Sequence, residues 1–106
     1  MQVQERDRVV VVSVQADLCG QLWRTIEPHL DAGKRSFVLD LGGIPFLNSV
    51  NIAAIIAARN KVLAGGGKIA LANLGDHVKA VFRVLKLERL FDLELDLPRA
   101  TAAAAL

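Results

Sequence analysis

Cysteine, aromatic residues and long apolar runs are all scarce in this chain, and each scarcity argues against a class of protein. Cys19 is the single cysteine among 106 residues, so no internal disulfide can form and a cytoplasmic location is the default. The thiol itself reads as a small, partly buried residue. Five aromatic residues, four Phe and one Trp, offer no stacking platform, and thirteen Lys plus Arg against eleven Asp plus Glu are spread along the chain rather than gathered in a block. Nucleic-acid binding therefore has no footprint. The longest apolar stretch of the second predicted helix, Ile52-Ala53-Ala54-Ile55-Ile56-Ala57-Ala58, stops at Arg59, far short of the roughly 20 residues of a membrane span. At the N-terminus, Met1-Gln2-Val3-Gln4-Glu5-Arg6-Asp7-Arg8 lacks the basic region followed by an apolar segment that marks a secretory signal.

What the chain does have is apolar material for one core. With 53% hydrophobic residues, 106 residues fit a single domain, 1–106, whose core spans about 8–98 and whose last residues, 99–106, form a frayed helical tail. Val9-Val10-Val11-Val12-Ser13-Val14 is β-branched and nearly continuous, as a strand buried on both faces would be, and an edge strand at residues 2–5 can pair with it as a hairpin. Asp17 can cap a helix with Leu18, Leu22, Ile26 and Leu30 inward, kinked at Pro28 and stopped by Gly33. Residues 36–41 give the next strand, and Gly42-Gly43-Ile44-Pro45 turns the chain. A second helix over Ser49–Ala64 has Ile52, Ile55, Ile56 and Leu63 on its apolar side and ends at Gly65-Gly66-Gly67. Lys68–Ala72 reads as a strand. A third helix starts at Asp76 with Val78, Val81, Phe82 and Leu85 inward, and residues 91–96 alternate apolar with acidic as an exposed edge strand does. Pro98 opens a last helix, where Ala102-Ala103-Ala104-Ala105 favours helix but supplies little to anchor it. The order predicts an α/β fold: a mostly parallel central sheet of four to five strands with helices packed against it and right-handed crossovers.

The start of the second helix is the candidate site. Asn48 as N-cap puts Leu47 and Ile52 at the two positions of a hydrophobic staple and makes Ser49 the first helical residue. A phosphoryl group there would meet unpaired backbone N–H groups and the positive end of the helix dipole, while adding about −1.5 to −2 charge to the surface. The plainer reading is that Asn48 and Ser49 only cap the helix. On the same helix Val50, Ala53, Ala54, Ala57 and Lys61 form a low-relief side that suits a closely packed partner, or that reflects only the helix propensity of alanine.

The run Phe37-Val38-Leu39-Asp40-Leu41-Gly42-Gly43-Ile44-Pro45-Phe46-Leu47-Asn48-Ser49, the helix with Gly66-Gly67, the strand around Ile69 and Leu71, and the Val78…Leu85…Leu90-Phe91 spacing together resemble the STAS domain, the family of the bacterial anti-sigma factor antagonists. The likeness covers roughly residues 8–98. Family members carry Asp-Ser-Ser-Gly or a variant at this helix start, and a partner that is both anti-sigma factor and serine kinase phosphorylates the first serine. The unphosphorylated form binds that partner and frees the sigma factor. The resemblance thus implies Ser49 as the phosphosite and Asn48, Val50, Asn51, Ala53, Ala54, Ala57 and Lys61 as the partner-binding surface. Asn48 stands for the aspartate, Val50 for the second serine and Asn51 for the glycine, so three of the four motif positions differ. Asn48 can still cap, whereas a side chain at 51 in place of glycine restricts close backbone approach.

No enzyme is expected. His29 and His77 have no Cys or second His at a ligand spacing, so no metal is expected. Ser49 lacks a Gly-x-Ser-x-Gly elbow, and the glycine run at 65–67 follows a helix and precedes a strand, the reverse of a phosphate loop. No cofactor is implied. Asp40, Asp92, Glu94 and Asp96 read as a solvated strand face rather than paired acid–base groups, and Trp23 as a partly buried helix residue. The leading expectation is a monomeric, cytoplasmic binding switch for an anti-sigma factor kinase. The alternative is a STAS scaffold or an accessory subunit, in a signalling assembly or transport system, in which Ser49 is never modified.

Overall fold

The run Val9-Val10-Val11-Val12 has no polar face, which suits only a strand covered on both sides. In the computed structural model, which describes residues 1–105 apart from the side chain of Leu18, it forms the second strand of a four-stranded sheet. The elements run β1 (Gln2–Arg6), β2 (Val9–Ser13), α1 (Leu22–Asp31), β3 (Ser36–Asp40), α2 (Ser49–Ala64), β4 (Lys68–Ala72), α3 (Asp76–Val84) and α4 (Leu97–Ala105). Sheet order follows chain order. β1 and β2 are antiparallel, joined at Asp7-Arg8, whose φ angles of 51° and 70° supply the twist of a two-residue hairpin. β2, β3 and β4 are parallel, with α1 and α2 as the crossovers.

Strand alternation divides the core in two. Val10, Val12, Phe37, Leu39 and Leu71 belong to the side formed with Leu22, Ile26, Ile55, Val78 and Phe82 of α1, α2 and α3. Val9, Val11, Val38 and Ala72 belong to the other, against Ala100 and Ala104 of α4. Both crossover helices stop as their glycines predict. Lys34 N–H donates to the His29 carbonyl at 2.9 Å and Gly33 N–H to that of Leu30 at 3.0 Å, and Gly67 and Gly66 repeat the pattern on Val62 and Leu63. With φ of 98° at Gly33 and 81° at Gly66, these are paired Schellman stops that satisfy the last helical carbonyls.

Several local expectations are corrected. Asp17 does not cap α1: Ala16–Gln21 is a short 3-10 segment and α1 begins only at Leu22. Leu22 and Ile26 are buried as expected, while the side chain of Leu18 lies outside the described residues. On α2 the inward set is Ile52, Ile55, Ala58 and Val62, with Ile56 half-buried and Leu63 42% exposed. At 3.6 residues per turn, Ile56 and Leu63 fall to one side of the stripe centred on Ile55, Ala58 and Val62, where cover is incomplete. α3 ends at Val84, and Leu85 is exposed because Lys86, at φ 60°, turns the chain away.

The expected strand at residues 91–96 is absent. Its alternation is real, since Phe91 and Leu93 are buried, but the acidic residues are used locally. Asp92 Oδ1 accepts from Glu94 N–H at 2.9 Å, and Asp96 Oδ1 accepts from Arg99 N–H at 3.0 Å, which makes Asp96 the cap of α4. One ladder-like bond remains, from Asn73 N–H to the Leu95 carbonyl at 2.9 Å. Nor do residues 99–105 form a loose tail: Ala100, Thr101 and Ala104 are buried and α4 covers the second sheet face. The small side chains bring the helix backbone close to the valines beneath it, which is how an alanine-rich helix is anchored without large apolar residues.

Candidate functional site

The site is built where β3 leaves the sheet. Leu41 N–H is still bonded to the Ala72 carbonyl at 2.9 Å, and the chain then turns through Gly42-Gly43. Asp40 Oδ1 holds that turn, accepting from Gly42 N–H at 2.9 Å and from the Asn73 side-chain amide at 3.2 Å. A Cβ on Gly42 would stand 3.1 Å from the same oxygen and 3.2 Å from Asn73 Cβ, so glycine permits this close approach. Ser13, Gln15, Asp40, Gly43 and Asn73 line a polar cleft of about 540 Å³ beside the turn. Asp40, its one carboxylate, is occupied in fixing the loop.

Ile44 and Leu47 are buried and fasten the loop to the core, while Phe46 between them projects outward at 66% exposure. The Phe46 ring rests edge-on against His77 at the start of α3, with centroids 4.9 Å apart and planes at 71°, a favourable aromatic geometry. Asn48 caps α2 as predicted: its Oδ1 accepts from Asn51 N–H at 2.8 Å. Ser49 is exposed and first in the helix. The cap leaves the N–H groups of Ser49 and Val50 without an intrahelical acceptor, at the positive end of the dipole. Val50 follows at 67% exposure.

Not all of the expected surface is assembled here. Ser49, Asn48, Val50, Ala53 and Ala57 are exposed, and Ala54 is half-buried. Asn51 is 7% exposed; its side chain turns inward and does not stand on the outer face with the others. Lys61 lies twelve residues beyond Ser49, about 18 Å along the helix, with its ammonium 4.9 Å from the Trp23 ring centroid on α1. It joins α2 to α1 rather than framing Ser49. Phe46 and His77, outside the expected set, also stand beside Ser49's helix start. Phe46 was legible as an apolar residue beside the staple position, but its pairing with His77 joins positions 31 apart in the chain and carries no local signal.

The Ser49 hydroxyl takes no part in the hydrogen bonds that order the site, which run from Asn51 to Asn48 and from Gly42 and Asn73 to Asp40. Among the described residues no group of three or more His, Cys, Asp or Glu side chains is placed to hold a metal, and no helix is long and apolar enough to cross a membrane. What the geometry offers is an accessible hydroxyl at a helix start, beside two exposed apolar side chains.

Known proteins resemble this chain in sequence and in fold. A relative from Bordetella bronchiseptica, BtrV, named as a candidate anti-sigma factor antagonist, is 29% identical over 96 residues, covering 91% of this chain and 78% of the relative. The crystal structure of a candidate anti-sigma factor antagonist from Thermotoga maritima superposes with a TM-score of 0.82 at 17% identity, covering 99% of this chain and 94% of the other. An anti-sigma-factor antagonist (STAS) domain protein from Planctomyces limnophilus gives 0.79 at 19% identity, over 99% and 97%. At these identities the two structures establish the shared fold. The family model described as the STAS domain matches residues 1–100, taking in the sheet, the capped helix carrying Ser49 and the first turn of α4, and on that match the chain belongs to the STAS domain family.

Proposed function

We propose that this STAS domain is an anti-sigma factor antagonist that docks on an anti-sigma factor kinase through the face around Ser49 and is released when that kinase phosphorylates Ser49. The observation that carries the reading is the placement of Ser49: solvent-exposed, first in a capped helix, flanked by Phe46 at 66% and Val50 at 67% exposure. The name of the Bordetella bronchiseptica relative supports the same partner class, and a cytoplasmic setting goes with it.

The physics of the switch follows from that placement. A phosphate on Ser49 would face the free N–H groups of the first turn and the helix dipole, a stabilising position worth roughly 0.3–1 kcal/mol, so the fold tolerates modification. The docked surface does not. About −1.5 to −2 charge would appear beside Phe46 and Val50, where a close partner excludes water and an unpaired charge is costly. Asn48 in place of an aspartate removes a neighbouring negative charge from the prospective phosphate and keeps the cap.

Incubation of the protein with ATP and the candidate anti-sigma factor kinase of its host, followed by intact mass measurement, should show one phosphate adduct that disappears in Ser49→Ala. In a binding assay with the same kinase, Ser49→Asp should weaken the complex at least several-fold and Phe46→Ala should weaken it about tenfold or more, as loss of an exposed aromatic anchor does. Equal affinity of Ser49→Asp and the unmodified protein would sink the mechanism. The altered positions Val50 and Asn51 favour a second reading, a constitutive STAS scaffold or accessory subunit using the same face. That reading expects no adduct from any host kinase.

A further inference from the structure

Leu63 and Leu90 are exposed at 42% and 38%, and nothing at the Ser49 face accounts for them. Both line an apolar cleft of about 350 Å³ beside the outer edge of β4, together with Ile69 and Leu95. The lining also includes small groups, Ala70 from the sheet and Ala103 and Ala104 from α4, which leave space there rather than a filled interface. Its volume is at the lower end of the range of small-molecule sites, and its lining is mainly apolar with few polar groups, as such sites require.

The charges at the cleft are of a definite kind. Arg59 and Lys68 both line it, and neither takes part in the ion pairs among the described residues, which join Lys34 to Glu5, Lys79 and Arg83 to Glu94, and Arg99 to Asp96. The Arg59 guanidinium lies 5.8 Å from the Phe91 ring centroid, a contact that orients the group without neutralising it. Asp92 is the one acid on the lining, and its Oδ1 is bonded to Glu94 N–H at 2.9 Å. The backbone adds a donor. Because Lys68 N–H is committed to Arg35 of the β3 side at 2.7 Å, alternation along the parallel ladder points the Ile69 N–H away from β3, toward the open edge.

We propose that this cleft binds a medium-chain fatty acid, its alkyl chain lying between Leu63 and Leu90 over Ile69 and its carboxylate held by Arg59 and Lys68. Two cations outside any ion pair beside an apolar cleft complement an amphiphile with an anionic head, and they disfavour a purely apolar ligand, which would leave both cations partly desolvated. Arg59 and Leu63 lie ten and fourteen residues beyond Ser49 on α2, about 15–21 Å along the helix, so this site is separate from the docking face.

Titration of the ¹⁵N-labelled chain with decanoate, kept below its micelle concentration and followed by amide chemical shifts, should give saturable changes grouped at Leu63, Ile69, Leu90 and Leu95. Leu63→Glu, which puts a carboxylate in the cleft at an exposed position, should weaken binding at least tenfold, while Leu63→Met should retain it. Arg59→Gln combined with Lys68→Gln should weaken decanoate several-fold, and decanol should bind the native protein more weakly than decanoate. Ser49→Asp should leave decanoate binding unchanged. The absence of saturable shifts, shifts that survive Leu63→Glu at full affinity, or decanol binding as tightly as decanoate would each overturn the assignment.

Discussion

The Cys19 thiol lies in the core on the α1 and α2 side of the sheet, where loss of hydration and the neighbouring Asp17 carboxylate hold its pKa above the usual thiol value. The thiolate is the reactive form, so native Cys19 should be alkylated by iodoacetamide at neutral pH at least a hundredfold more slowly than in urea-unfolded protein. Comparable rates in the two states would mean that the thiol is not buried as described. Ser49 is the counterpart at the other extreme of exposure. Sequence alone places Ser49 at a helix start, but it leads one to expect Cys19 only partly covered, because the depth of a small side chain depends on which distant elements close over it. Asn51 shows the same limit: its register on α2 was legible, its inward turn was not.

Segments 91–96 and α4 show how an alternating pattern can be used without forming a strand. Glu94 is bonded to Lys79 and also paired with Arg83, both on α3. The Lys79 hydrogen bond, followed by the charges of Lys79 and Arg83, depresses its pKa. Asp96 is depressed by the Arg99 backbone N–H it caps and by the Arg99 charge. A carboxylate whose folded pKa is below its unfolded value contributes stability that is fully present above the unfolded value, about 4, and is lost as pH falls through the folded value. The urea midpoint should therefore hold steady from neutral pH down to about 5 and decline below about 4. Glu94→Gln should flatten that decline. An identical acid profile in the variant would remove the ion pairs as its cause. These groups are exposed to solvent, so added salt should weaken the effect. The sequence carried the alternation of residues 91–96, but not the Lys79 and Arg83 side chains that engage its acids from another element.

At the scale of the whole molecule, α4 decides whether the sheet has one covered face or two. Ala100 is fully buried against the face that carries Val9, Val11 and Val38, so Ala100→Leu should overpack that contact and cost about 1–3 kcal/mol in urea denaturation. Ala102→Leu, at an exposed position of the same helix, should stay within about 0.5 kcal/mol of the parent. Equal costs at both positions would mean that α4 does not dock through Ala100. The docking also shapes the cleft lined by Leu63 and Leu90, to whose lining Ala103 and Ala104 contribute.

By itself the sequence determined the parallel α/β order, the glycine stops of α1 and α2, and the Asn48 cap that brings Ser49 to the start of α2, because each rests on short-range physics: strand and helix periodicity, left-handed glycines, a side chain bonding a backbone three residues on. Tertiary structure alone decided that Phe46 meets His77, that Asn51 turns inward, that residues 91–96 cap and brace rather than pair, and that an alanine-rich helix closes the second sheet face. Those outcomes depend on contacts between residues far apart in the chain, where local propensity is silent and packing settles which of several permitted arrangements is built.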